Sequence, residues 1–137
     1  VVDVLDWSVA LQRVTLLVAL GRCEAAREVL IACERRWPPP TDELREEHQM
    51  MLGRIEAATG EHASALERAG EKAGVGWCLV RAHALAAAGD HGRARAELEA
   101  VRAHESGLEV LALVAERSGP AAEIARTMLG SAGPYRS

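Results

Sequence analysis

A chain of 137 residues suits one domain with a core of its own. Aromatics are only 3 % and phenylalanine is absent, while alanine, leucine, glutamate and arginine dominate, a balance that disfavours strands and favours helices. A formal charge of −4 excludes a general nucleic-acid binder, whose affinity needs a basic face that releases counterions from phosphate.

The first predicted helix runs from about Val4 to Leu20, where Leu5, Val9, Leu16 and Leu20 mix with Ala10, Val14 and Leu17 in a broad apolar face. Gly21 stops it. A second helix, about Glu24 to Arg36, carries Ala26, Leu30 and Cys33 at i, i+4 and i+7. Arg22, Arg27, Arg35 and Arg36 interleave with Glu24, Glu28 and Glu34, the pattern of a solvated face with helical ion pairs. Trp37-Pro38-Pro39-Pro40 then holds the chain extended.

Thr41 is the predicted N-cap of the third helix, which runs to about Thr59 through Leu44, His48, Met51, Leu52 and Ile55. Gly60 breaks it, and an alanine-rich helix follows to about Lys72. Ala73-Gly74-Val75-Gly76 reads as the most flexible internal link. The fifth helix holds Trp77, Cys78, Leu79, Ala82, Leu85 and Ala86. Gly89-Asp90 separates it from a sixth with Ala94, Leu98 and Val101 as its inward stripe. Ser106-Gly107-Leu108-Glu109 has the form of a capping box for a seventh helix ending near Ser118. Gly119-Pro120 opens the eighth. The helical domain is thus placed at residues 1–130 and a flexible tail at 131–137.

Gly21, Gly60, Gly89 and Gly119 organise the whole chain. Each ends an apolar helix and opens another. Five residues beyond them stand Ala26, Ala65, Ala94 and Ile124; nine beyond stand Leu30, Ala69, Leu98 and Met128. Such recurrence marks stacked helical hairpins. Gly89-Asp90-His91-x-x-Ala94, with Ala82 and Leu85 before it and Leu98 and Val101 after it, resembles the tetratricopeptide repeat. Gly53, Gly60, Ala65 and Ala69 match its small-residue places in the second hairpin, and Pro38 stands where the family often closes a repeat. The glycines lie 39, 29 and 30 residues apart, off the family period of about 34, and Glu56 and Lys72 fill places that are usually apolar. The resemblance is therefore to a degenerate form. It implies an all-α, right-handed array of about four antiparallel hairpins.

The resemblance also implies that the first helix of each hairpin lines a concave groove. The lining places fall thirteen, ten, six and three residues before each glycine: Ser8, Leu11, Thr15 and Val18; Glu47, Met50, Arg54 and Ala57; Gly76, Leu79, His83 and Ala86; Ser106, Glu109, Leu113 and Glu116. Leu11, Thr15, Met50, Arg54, Leu79 and His83 are the candidate partner-binding residues, with Leu11, Met50 and Leu79 reading equally well as core. The lysine and asparagine pattern with which some family members hold a terminal carboxylate is missing. An apolar groove of this length also offers a surface for self-association.

No other chemistry competes strongly. The five histidines include no pair at i, i+4 spacing, so no metal, cofactor or catalytic site is expected. A Cys78–His83 nucleophile pair lacks any recognisable oxyanion partner. Three cysteines (Cys23, Cys33, Cys78) include no C-x-x-C pair, and Cys33 and Cys78 fall on predicted apolar faces, which points to these two as buried thiols in a reducing cytoplasm. Val14 to Leu20 is too short an apolar run to span a bilayer, so no membrane partner is expected. Asp3 and Asp6 stand where a signal peptide would be basic. The near-exclusive use of arginine over lysine points to a GC-rich bacterial genome. The chain starts without methionine and reads as a piece of something longer, such as the sensor part of a cytosolic regulator. The expectation is a non-catalytic module binding a peptide, helix or partner domain; the alternative is a small export chaperone shielding a client protein.

Overall fold

The computed structural model describes residues 4–36, 38–117 and 119–131, with the side chains of residues 4, 5 and 131 excepted. Trp37 and residues 132–137, which bear on the expected extended segment and tail, lie outside the described residues. All regular structure among the described residues is helical. The helices are α1 (Val4–Ala19), α2 (Cys23–Arg36), α3 (Asp42–Ala58), α4 (His62–Ala69), α5 (Val75–Ala87), α6 (His91–Arg102), α7 (Gly107–Ala115) and α8 (Pro120–Ser131).

The four organising glycines sit where α1, α3, α5 and α7 end. Their φ angles are +78°, +92°, +92° and +106°, a region that side chains with a Cβ rarely adopt. After Gly60 and Gly89 the backbone closes on itself, Glu61 N–H donating to Glu56 O and Asp90 N–H to Leu85 O, at 2.8 and 2.9 Å. The helix starts are uneven. Thr41 caps α3 by accepting from Leu44 N–H at 3.1 Å, and Asp90 caps α6 by accepting from Arg93 N–H at 3.3 Å. Ser106 does not cap α7. Its φ and ψ of −103° and 23° depart from the extended geometry that turns a capping hydroxyl onto the helix.

Three boundaries differ from the sequence expectation, among them the end of α7, which stops at Ala115 rather than near Ser118. α4 stops at Ala69 because Gly70 takes a φ of +50°, three residues before Lys72. α5 begins at Val75, inside the segment expected to be a flexible link, because Gly74 alone carries the turn with a φ of +112°. Gly76 is helical, and the Met50 sulfur of α3 occupies the space a Cβ there would fill.

α1 packs on α2 and α3, α3 on α2, α4 and α5, and α5 on α4 and α6. The last pair joins differently: α5 meets α8 rather than α7 in close backbone approach, while α6 meets both. Three buried clusters follow this order. Trp7, Leu11, Val14, Leu30 and Ile55 anchor the first, and Trp77, Val80 and small alanines form the second. Leu85, Leu98, Leu111 and Met128 fill the third. α5 feeds the last two clusters and is buried on nearly every side.

The buried stripe of α1 is Trp7, Leu11 and Val14. Val9, Leu16 and Leu20, read from the sequence as part of a buried face, are exposed at 56, 65 and 71 %. The helix is apolar around most of its girth, so periodicity alone does not choose a face; the large Trp7 ring does.

Two buried polar groups punctuate this interior. Glu56 of α3 accepts from Arg68 of α4 through both carboxylate oxygens, each at 2.9 Å, and Arg68 also donates to Gln49. The forked pair explains why a charged residue stands where the repeat pattern is usually apolar. His48 is 2 % exposed, meets Trp7 edge-on with ring centroids 5.3 Å apart, and has Nε2 3.5 Å from a Glu34 carboxylate oxygen. Burial lowers its pKa from the ordinary 6.5, with Glu34 opposing in part.

Ala94 and Ala82 share the third cluster with Leu98 at the α5–α6 crossing. In urea unfolding, Ala94→Leu should destabilise by roughly 1–3 kcal/mol through overpacking and Leu98→Ala by about 2–5 kcal/mol through a cavity. Parent-like midpoints for both would mean that this crossing is placed wrongly.

Because His48 is held neutral by burial, its protonation favours the unfolded chain. Its contribution is whole above the ordinary value of 6.5 and is lost as pH falls below that value toward the lowered folded pKa. His48→Leu should therefore lose less stability than the parent between pH 7.5 and pH 5.5, measured by urea unfolding at the two pH values. Equal losses would show that His48 carries no such linkage.

Candidate binding cavity

A cavity of about 890 Å³ opens where the last turns of α1, α3, α5 and α7 converge. That volume falls within the range of ligand-binding clefts. α1 and the residue after it supply Val18, Ala19 and Leu20; α3 supplies Arg54, Ala57 and Ala58; α5 supplies Leu79, His83 and Ala87. α7 supplies Val110, Leu113 and Val114, and the link that follows supplies Glu116 and Arg117. Cys23 at the start of α2 and Pro120 and Ala121 at the start of α8 complete the wall.

The lining follows the glycine register. Counting back from each turn glycine, the cavity takes the residue three before it in the first, second and fourth hairpins (Val18, Ala57, Glu116). It takes the residue six before it in the second, third and fourth (Arg54, His83, Leu113). Each first helix turns residues of its later part to the same space; of the places ten before the glycine, Leu79 reaches it, while Leu11 and Met50 are absorbed by packing.

The six sequence candidates divide accordingly. Arg54, Leu79 and His83 come together in the cavity. Leu11 lies in the first cluster at 4 % exposure, packed among Trp7, Val14 and Leu30. Thr15 is exposed and its hydroxyl donates to Leu11 O at 2.9 Å, back along its own helix. Met50 is half-buried against the second cluster and is turned toward Gly76 rather than the cavity. Arg117, which the register does not select, joins the site because α7 ends at Ala115 and the chain bends over the opening.

Arg54 is half-buried at the site, whereas Glu116 and Arg117 are exposed at its rim. Neither the Arg54 nor the Arg117 guanidinium makes a hydrogen bond or ion pair among the described residues, and Glu116 pairs with neither. Burial lowers the pKa of Arg54, the Arg117 charge lowers it further, and Cys23 opposes weakly. Burial also pulls His83 down to about 4, with Arg54 and Arg117 adding to the effect. The Cys23 thiol is pushed up, chiefly by burial. Both imidazole and thiol are thus neutral near pH 7.

Arg117 is held from outside. The Arg126 guanidinium of α8 donates to Ala115 O at 2.8 Å and to Arg117 O at 3.1 Å, fixing the turn that carries it. Two helix N-termini, those of α2 and α8, reach the cavity wall and add the positive ends of their dipoles. What results is a concave, apolar-walled space with an excess of positive charge. No helix among the described residues is long and apolar enough to cross a membrane. Comparisons with protein-family models, with curated proteins and with solved structures find no match to this chain.

Replacing Arg54 removes one of the charges that hold His83 down. Arg54→Gln should raise the His83 midpoint above about 4 in an NMR pH titration of its imidazole, with helicity unchanged. An unmoved midpoint would show that the two side chains do not share the cavity.

Proposed function

We propose that this protein is a non-catalytic interaction module of tetratricopeptide-like architecture, a right-handed array of four antiparallel hairpins that binds a peptide, helix or partner domain in its concavity. One observation carries the reading. A single cavity gathers side chains from the first helix of all four glycine-punctuated pairs, and two guanidinium groups on its wall, the half-buried Arg54 and the exposed Arg117, have no hydrogen-bond or ion-pair partner among the described residues. Arg54 faces this cavity half-buried, with no carboxylate partner among the described residues, and partial burial there disfavours its charged form.

The positive-φ glycines between paired helices, and the packing of each pair on the next through α3 and α5, support the repeat architecture. The fourth pair departs from this pattern by meeting α5 through α8.

The test is an alanine series against a partner identified by co-purification and mass spectrometry. Arg54→Ala and Leu79→Ala should each weaken binding in titration calorimetry, by about 1–3 kcal/mol, with the helical circular dichroism spectrum unchanged. Met50→Ala should lower the melting temperature more than the affinity, because Met50 packs against the second cluster. An affinity that ignores Arg54 and Leu79 but depends on exposed residues of α2, α4 and α6 would place the functional face on the other side.

A further inference from the structure

We infer that the cavity selects an acidic peptide, seating one carboxylate between Arg54 and Arg117 with apolar side chains on either side of it, and that His83 takes up a proton as the carboxylate arrives. This rests on the binding role proposed above and names the chemistry of the occupant.

Charge complementarity identifies that occupant. Arg54 and Arg117 are close enough to lower the pKa of Arg54 by mutual repulsion, yet neither has a carboxylate partner among the described residues. Two guanidinium groups on one cavity wall, Arg54 half-buried and Arg117 exposed at the rim, are an arrangement that an oxyanion stabilises, because each can offer a fork of donors. The starts of α2 and α8 bias the same space toward negative charge.

The walls decide between kinds of anion. Val18, Leu79 and Leu113 flank the cationic pair, so the ligand must bring apolar groups beside its charge. A phosphodiester backbone carries charge at every step and would meet these walls unfavourably; the net charge of −4 repels it as well. A peptide with one acidic residue between apolar ones matches both features.

The proton linkage follows from what faces His83. Arg54 comes from α3 and Arg117 from the link after α7; both are positive. Cys23 from α2 is a neutral thiol, and Glu116 sits on the wall without an ion pair. The cavity-lining residues of α1 and α8 have no titratable side chain, and α4 and α6 send none into the cavity. In the empty site burial, with the two arginine charges adding to it, keeps the imidazole neutral. A bound carboxylate offsets the two arginines and favours the imidazolium, which draws its proton from solvent. Binding should then tighten as pH falls.

The test uses a fluorescent, degenerate peptide pool of the pattern Leu-x-x-Glu-x-x-Leu and an otherwise identical pool with Gln at the central place, read by anisotropy. The intact protein should bind the Glu pool about tenfold or more tightly than the Gln pool. Arg54→Gln and Arg117→Gln, each checked for folding by circular dichroism, should erase that preference. For the intact protein the Glu pool should bind about threefold or more tightly at pH 5.5 than at pH 7.5. His83→Asn should remove this pH effect.

A second measurement does not depend on peptide sequence. Exchanging chloride for propionate at constant ionic strength should raise the His83 midpoint in an NMR titration, and should fail to do so in the double variant Arg54→Gln, Arg117→Gln. Equal binding of both pools, with no propionate effect, would overturn the acidic-ligand inference while leaving an interaction module standing. Binding of neither pool, again without a propionate effect, would likewise overturn the acidic-peptide inference, and the interaction module would then stand or fall by the alanine series against the co-purified partner. A Glu preference without pH dependence would overturn the role given to His83.

Discussion

Close approach of helix backbones is the constraint on which the rest of this structure depends. The chain has no phenylalanine, so its interior is built largely from small side chains. Ala26, Ala65, Ala69, Ala82, Ala84, Ala94 and Ala125 are all completely buried. A buried alanine removes little apolar area from water, so such a core gains stability only if many helices meet over long contacts. Gly53 of α3 shows how tight the fit becomes. A Cβ there would lie 3.0 Å from a Val80 methyl of α5. The larger side chains then serve as fixed points within the alanine-lined crossings, with Trp7 in the first cluster, Trp77 in the second and Leu98 in the third.

The helices and their turns were legible in the sequence because their causes are local. A glycine that must hold a positive φ can be read from its place between two apolar stretches, and all four were. What escaped depends on three-dimensional competition. The sequence pattern on α1 allowed several faces, and only the bulk of Trp7 settled which one is covered. Ser106 has the spacing of a capping box, but the turn from α6 gives it the wrong backbone angles. Glu56 looked like a flaw in the repeat until Arg68 was found across from it.

The site was half legible for a similar reason. Arg54, Leu79 and His83 could be placed because repeat register carries residues to equivalent positions. Leu11 and Met50 stand at the same place before their glycines as Leu79, but their neighbours absorb them into packing, Leu11 among Trp7, Val14 and Leu30 and Met50 against Gly76. Arg117 obeys no register. It reaches the cavity because a helix stops at Ala115 and Arg126 of α8 grips the carbonyls beyond. No periodicity in the chain encodes that.

The cavity wall has a consequence for cooperativity. Most contacts in this fold join helices that are near neighbours in the chain, so its two ends can open independently. The cavity is the exception, since it brings Val18 and Leu20 together with Leu113 and Arg117. An occupant touching both sides would act as a clasp across nearly the whole chain. It would make the first and last helices unfold together rather than separately, turning a series of local openings into one event.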